Sequence, residues 1–189
     1  MTDSFFDNIP LTKYNNDVIR DITRKGVIRH SLFNNPYVFL PYTVIDDERP
    51  ENVAYYYYGD PELVWLIYWA NNIIDPYNQW PLTSDEWDQM MIKKYQTISQ
   101  ANDYAVLNWA QNQTITENIV YYQNINDKDI KITPFTYDNI SVSQKAFYTP
   151  IRIYDWELTH NDDKRIIQLI DKRYAKQAVS ELRRVMFNG

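Results

Sequence analysis

The clearest pattern of apolar and polar positions lies in residues 39–82. Residues 39–45 combine aromatic and β-branched side chains and predict a strand, with Pro41 tolerable at a sheet edge. The acidic turn Asp46-Asp47-Glu48 follows. Pro50 suits the first position of a helix, where its missing N–H would have no partner anyway. Val53, Ala54 and Tyr57 then fall on one side of a short helix ending at Tyr58. Gly59 closes it, because glycine enters the left-handed conformation without a Cβ clash. Asp60 caps the next helix, with Pro61 at its first position. Residues 63–70 are apolar all round, so this helix must be covered on most sides. Asn71, Asn72, Asp75 and Pro76 end it, and residues 77–82 are expected to return as a strand beside the first. The order is strand, helix, helix, strand.

The flanks are patterned more weakly. Residues 1–38 read as an arm. Asn15, Asn16 and Asp17 break the chain, residues 18–23 have strand character, and residues 27–30 suggest another short strand. Thr83-Ser84-Asp85-Glu86 is a capping box that opens a helix with Trp87, Met90, Met91, Tyr95 and Ile98 on one stripe. Residues 118–125 and 130–133 flank a polar turn and predict a hairpin. Thr133-Pro134 opens a short helical piece. Residues 148–158 read as a long strand, joined by a polar turn at 159–164 to a second strand at 165–170. A final helix places Tyr174, Ala178, Leu182, Val185 and Met186 in register. The expected organisation is therefore an arm (1–38), a compact unit with its following helix (39–100) and a C-terminal α+β region (101–189).

Composition narrows the function classes. The net charge of −6 lacks the basic face that phosphate contacts require, which argues against nucleic-acid binding. Cysteine is absent, so disulfides, thiolate zinc sites and cysteine nucleophiles are excluded. The 17 tyrosines offer large apolar bodies with polar tips, suited to a core or to surfaces covered by a partner. The first ten residues have no basic start and no apolar stretch of the secretory kind. Residues 63–70, the longest apolar run, are too few to span a bilayer. A soluble protein that is not itself exported is expected.

Catalytic and ligand-binding signals are sparse. Three glycines leave no room for a phosphate-cradling loop or a nucleophile elbow. His30 and His160 stand alone in sequence, and a chelating site needs clustered ligands. The carboxylate clumps at 46–48, 85–88 and 162–163 fit a helix N-terminus and turns. Residues 124–129 lack the central glycine and distal glutamate of a calcium loop. Lys172, Arg173, Lys176, Arg183 and Arg184 put a basic cluster on the final helix, either a solvated face or a contact for an acidic partner. No catalytic residue, cofactor or metal is assigned.

The strand–helix–helix–strand unit resembles the LysM module, a small glycan-binding fold. The matching pieces are Tyr42-Thr43-Val44, the helix opening Arg49-Pro50-Glu51-Asn52-Val53-Ala54, Tyr58-Gly59-Asp60-Pro61 and Trp69-Ala70-Asn71-Asn72. Gly59-Asp60-Pro61-Glu62-Leu63-Val64-Trp65, with Asp75-Pro76-Tyr77 and Trp80, is similar to the baseplate wedge subunit of T-even-type contractile phages, the product of gene fifty-three. That similarity runs over residues 17–100, including Arg20-Asp21-Ile22-Thr23-Arg24 and Asn35-Pro36-Tyr37, and reappears in the strand and basic helix at 165–186.

The resemblance implies an α+β fold: a LysM-like βααβ core, an extended N-terminal arm and a C-terminal β-hairpin plus helix. It implies a non-enzymatic structural part of a phage tail baseplate, joining neighbouring wedges around the tail tube. The implied partners are other wedge proteins and the sheath-initiating region, in a symmetric multi-copy virion assembly built in the host cytoplasm, with no nucleic acid and no membrane. Contact residues are expected at Arg20, Asp21, Arg24, Tyr37, Tyr42, Tyr77, Arg183 and Arg184. The alternative is a peptidoglycan-binding LysM module. Against it, Asp46-Asp47-Glu48-Arg49 replaces the glycine-containing turn that approaches sugar, and Ile73-Ile74 follow Asn72. A cell-wall-degrading enzyme has only the scattered carboxylates behind it.

Overall fold

The structure, a computed structural model, describes residues 9–21 and 37–188, without the side chains of 183 and 185–188. It is α+β, and the chain forms two compact units. The first takes residues up to Pro81 and from Lys164 onward, and the second is Leu82–Asp163. These boundaries cut across the three consecutive segments expected from sequence.

The first unit opens with a hairpin of β1 (Leu11–Tyr14) and β2 (Asp17–Arg20). Strand β3 (Phe39–Thr43) leads to α1 (Pro50–Tyr58). Pro50 stands in the first turn of α1, and Gly59 ends it at φ +83° with its N–H on the Tyr55 carbonyl. The Asp60 side chain accepts from the Glu62 amide, and Pro61–Leu63 form a 3-10 turn before α2 (Val64–Ala70). Trp65, Leu66, Ile67 and Ala70 of α2 are buried, as an all-apolar helix requires.

The expected return strand at 77–82 does not form. Pro76–Gln79 is a helical turn, α3, entered from Asp75 with Pro76 in its first turn. The Gln79 side-chain oxygen accepts from the Ile74 and Asp75 amides and holds this turn shut. Trp80 then buries its ring, and its Nε1 donates to the Glu48 carbonyl at 2.9 Å.

The second unit begins at α4 (Ser84–Ser99), whose Thr83–Glu86 capping box is complete. Trp87, Met91 and Tyr95 of its stripe are buried, whereas Ile98 is exposed. After α5 (Ala105–Gln111), β4 (Ile119–Asn124) pairs with β5 (Lys131–Ile132), as the sequence predicts. Two short helices, α6 (Pro134–Asn139) and α7 (Val142–Lys145), precede β6 (Tyr148–Arg152). Thr133 caps α6 as expected, and Tyr137 of α6 stacks on Tyr122 of β4.

The long strand expected at 148–158 stops at Arg152. Residues Ile153–Asp163 form α8, including the expected turn with His160, which stacks on Trp156. The buried positions of α8 are Ile153, Glu157 and Asn161. Their spacing of four is helical, but two of the three are polar, so hydropathy hid the stripe. Strand β6 pairs antiparallel with β4, not with the strand that follows α8, so the expected C-terminal β-hairpin is absent.

Strand β7 (Ile166–Ile170) returns to the first unit and pairs antiparallel with β3, Phe39 opposite Ile170 and Thr43 opposite Ile166. It takes the place expected for residues 77–82. The strand–helix–helix–strand order survives, with the second unit inserted in sequence before its last strand. Helix α9 (Lys172–Asn188) follows, and its Ala175, Ala178, Val179 and Leu182 join Trp65, Leu66, Val38 and Ile9 in one core. Val53, Ala54, Ile67, Trp80, Ile167 and Leu169 make a second core in this unit.

Candidate interaction surfaces

Asn15 and Asn16 both adopt positive φ, 47° and 70°, as a two-residue hairpin turn of the primed type demands. Every residue of β1 and β2 is exposed. Leu11, Tyr14 and Val18 each leave more than three-fifths of their surface in water. The base of the hairpin is fixed. Ile9 is buried in the core with Val38 and α9, the Asp21 amide donates to the Pro10 carbonyl at 2.8 Å, and Arg20 donates to the Ile9 carbonyl at 3.3 Å. An isolated two-stranded hairpin is marginal in water. This one is held at one end and uncovered on both faces.

The loop between β3 and α1 is organised by Glu48. Its carboxylate accepts from the Tyr42 hydroxyl at 2.7 Å and the Ile45 amide at 3.2 Å. Burial, then the Glu48 bond and charge, push the Tyr42 phenol up to about 12. On α1, Tyr57 and Tyr58 pack inward while Tyr55 and Tyr56 face water. Ile74, just before α3, and Tyr77, within it, are both 91% exposed.

At the start of α9, Asp171 caps the helix by accepting from the Arg173 amide and holds the Arg173 guanidinium through both carboxylate oxygens. The guanidinium bond, with the amide bond, keeps this carboxyl below its usual range. Lys172 lies over the Tyr57 ring at 4.9 Å.

In the second unit, three exposed apolar residues meet at one end of the β5–β4–β6 sheet. The Asn124 amide donates to the Ile130 carbonyl and the Ile125 amide to the Phe147 carbonyl, which ties the turns carrying Ile130 and Phe147 to the end of β4, next to Ile125. Phe135 and Val142 on the neighbouring short helices are about four-fifths exposed (79% and 85%). Hydropathy does not mark this end, because its apolar residues lie in turns rather than in a periodic run. At the opposite end of the sheet is a polar hub. Asn118, fully buried, donates to the Trp109, Ala110 and Asn112 carbonyls and accepts from Arg152. Arg152 also donates to the Ile115 and Gln113 carbonyls. Arg152 therefore ends β6 by binding the loop that leads into β4.

The contact residues expected from sequence are dispersed. Arg20 and Asp21 share the hairpin base. Tyr37 is 75% exposed just before β3, Tyr77 is exposed on α3, and Arg184 is exposed on α9. Tyr42 is half-buried with its hydroxyl committed to Glu48. Arg24, the Arg183 side chain, His30 and the strand expected at 27–30 lie outside the described residues. Among the described residues, no group of three or more His, Asp or Glu side chains is placed to hold a metal ion, and no helix is long and apolar enough to cross a membrane.

Comparison with known proteins places this architecture. The chain is 24% identical over 151 residues to the baseplate wedge protein gp53 of Enterobacteria phage T4, covering 77% of this chain and 72% of that protein. A profile of the family described as base plate wedge protein 53 matches residues 4–185, nearly the full length seen here. The chain belongs to the baseplate wedge protein 53 family.

Proposed function

We propose that this protein is a structural clamp in a contractile phage tail baseplate, joining neighbouring wedge subunits around the tail tube. Its partners are other wedge proteins and the sheath-initiating region, and it acts in several symmetric copies within the virion. The mechanism is shape and burial, with no chemical step. A clamp needs more than one gripping surface on one chain. The observation that carries the reading is that each compact unit offers its own: the projecting hairpin on the first, and the Ile125, Ile130 and Phe147 end on the second. Permanent assembly contacts bury about 2,000 Å² or more, which exposed apolar side chains of this kind can supply.

Co-expression with the wedge proteins of the same phage, followed by size-exclusion chromatography with light scattering, tests this. Deleting residues 11–20 should release one neighbour, and Phe147→Asp with Ile125→Asp should release another. A chain that stays monomeric beside every wedge protein sinks the proposal.

The glycan-binding alternative draws on the strand–helix–helix–strand order of the first unit, which supports a LysM-like body. The Glu48 carboxylate, however, is occupied by Tyr42 and Ile45, and the Trp80 indole by the Glu48 carbonyl, so the first loop is closed on itself. Retention on peptidoglycan fragments would revive this reading.

A further inference from the structure

Helix α9 gives one face to the core of the first unit and the opposite face to water. Ala175, Ala178, Val179 and Leu182 fill the inner face. The exposed side chains described on α9 are Lys172, Arg173, Lys176, Gln177, Ser180 and Arg184. Four are cations and none is an acid, on a chain whose net charge is −6. Solvated helix faces ordinarily mix both signs, because opposite charges four apart stabilise a helix.

This face works against the helix that carries it. The first turn holds Lys172 and Arg173 and no acid, where the helix dipole repels cations. Lys172 and Lys176 stand four apart, a spacing at which like charges destabilise a helix. Local contacts offset part of this. Asp171 neutralises Arg173, and the Tyr57 ring lies under Lys172, which keeps its charge. Among the described residues nothing pairs with Lys176 or Arg184. Charges that oppose the fold and gain nothing within it mark a surface kept for another molecule. The face also has a shape. Arg173, Gln177, Ser180 and Arg184 follow at intervals of four, three and four, which makes one ridge along the helix. In its middle the Ser180 hydroxyl donates back to the Gln177 carbonyl at 2.8 Å, so the ridge is shallow between its cationic ends.

We propose that this face steers and orients an acidic helix of a neighbouring wedge protein, laid along α9. The ridge spacing fits a second helix, the shallow stretch admits its backbone, and the single sign selects carboxylates. The exposed side chains described on α9 include no apolar one, so the contact sets approach and register, while holding power falls to the apolar grips of the clamp. A second copy offering the same face would be repelled. The proposal rests on the clamp reading and adds orientation to it.

The test uses the full chain and the wedge proteins of the same phage, with association and dissociation rates followed across a range of salt concentrations. Lys176→Glu with Arg184→Glu should slow association about tenfold at low salt, flatten its salt dependence and leave dissociation within about twofold. The same two positions changed to Gln should give intermediate rates. Lys176→Glu also turns a repulsive pair with Lys172 into an attractive one, so the thermal midpoint of the unbound chain should hold or rise. A midpoint that falls in step with the lost association assigns these cations to the fold and overturns the proposal. Association unchanged by the double reversal overturns the steering face and leaves the clamp standing. No complex with any wedge protein overturns both. Binding of duplex DNA by the parent, abolished by the same reversal, makes nucleic acid the occupant and overturns the acidic helix.

Discussion

Replacing Asn71 should unfasten the first unit. Its side-chain amide donates to the Ile67 carbonyl of its own helix and to the Gln168 carbonyl of β7, and accepts from the Gln168 amide, each at 2.8 Å. A net hydrogen bond contributes about 0.5–1.5 kcal/mol, and water can replace part of this because Gln168 is exposed. Asn71→Ala should therefore cost about 2 kcal/mol. Asn71→Asp keeps the shape and the bond from the Gln168 amide, but turns a carboxylate oxygen toward two carbonyls at the C-terminal end of α2. Charge repulsion and the helix dipole both oppose it there, so the loss should reach about 3 kcal/mol at neutral pH. That loss should shrink on acidification, since a protonated Asp can donate again. Thermal midpoints should fall by about 4–8 °C for Ala and further for Asp. Urea titration with tryptophan emission gives the free energies, Trp65, Trp69 and Trp80 reporting from this unit. Exchange at the Gln168 amide supplies the local readout. An Asp variant as stable as the parent, or an unchanged Gln168 amide in the Ala variant, would refute the reasoning.

Gly59→Ala should cost about 1–2 kcal/mol from the left-handed backbone alone, since nothing lies within 4 Å of a Cβ built there. Gly59→Asn should cost less in the same melt, and equal losses would point to a steric cause. Asn118→Ala removes its bonds to three carbonyls and to Arg152 in a buried site, so the second unit should lose about 3 kcal/mol in urea, seen through Trp87 and Trp109. The Tyr42 phenol is raised from 10.0 to about 12, so its contribution to stability is intact below pH 10 and is lost as pH rises through 12. Tyr42→Phe should flatten that part of the alkaline stability profile, and an unchanged slope in urea midpoints would contradict the assignment.

Local signals were legible in the sequence because each rests on a single residue's geometry. Pro50, Gly59, Asp60, Thr83 with Glu86, and Thr133 all stand where their chemistry places them. Long-range pairing was not legible. Residues 77–82 and 166–170 both follow a helix with apolar side chains, and periodicity does not say which one closes β3. Asp75-Pro76 in fact starts a helical turn, a signal the apolar Tyr77 and Trp80 outweighed. Helix α8 was missed because Glu157, bonded to Lys94 and Tyr95, and Asn161, bonded to Leu82, occupy buried positions that hydropathy assigns to water. The hairpin lay in plain view as Asn15-Asn16 between two four-residue strands, but its first strand alternates too little to stand out.

The buried and edge asparagines share one device that bears on function. Asn71 meets the backbone of Gln168 across 97 positions of sequence, and Asn161 meets that of Leu82 across 79, each through one donor and one acceptor. A carboxamide presents the same pair of groups as a peptide unit, so it can end a sheet or fasten a segment without a further strand. Chains that work in crowded symmetric particles meet many exposed strand edges at high local concentration. Edges closed by Asn71 and Pro41 cannot pair with the wrong neighbour. Leu11 and Val18 of the hairpin keep outward backbone groups together with exposed apolar side chains. Reopening the guarded edge should therefore broaden what the chain binds. Pro41→Val restores the missing N–H on β3, and the variant should form soluble oligomers or aggregates at concentrations where the parent is monodisperse by light scattering. If it stays as monodisperse as the parent, Pro41 is not a guard, and the contrast between the two sheets loses its meaning.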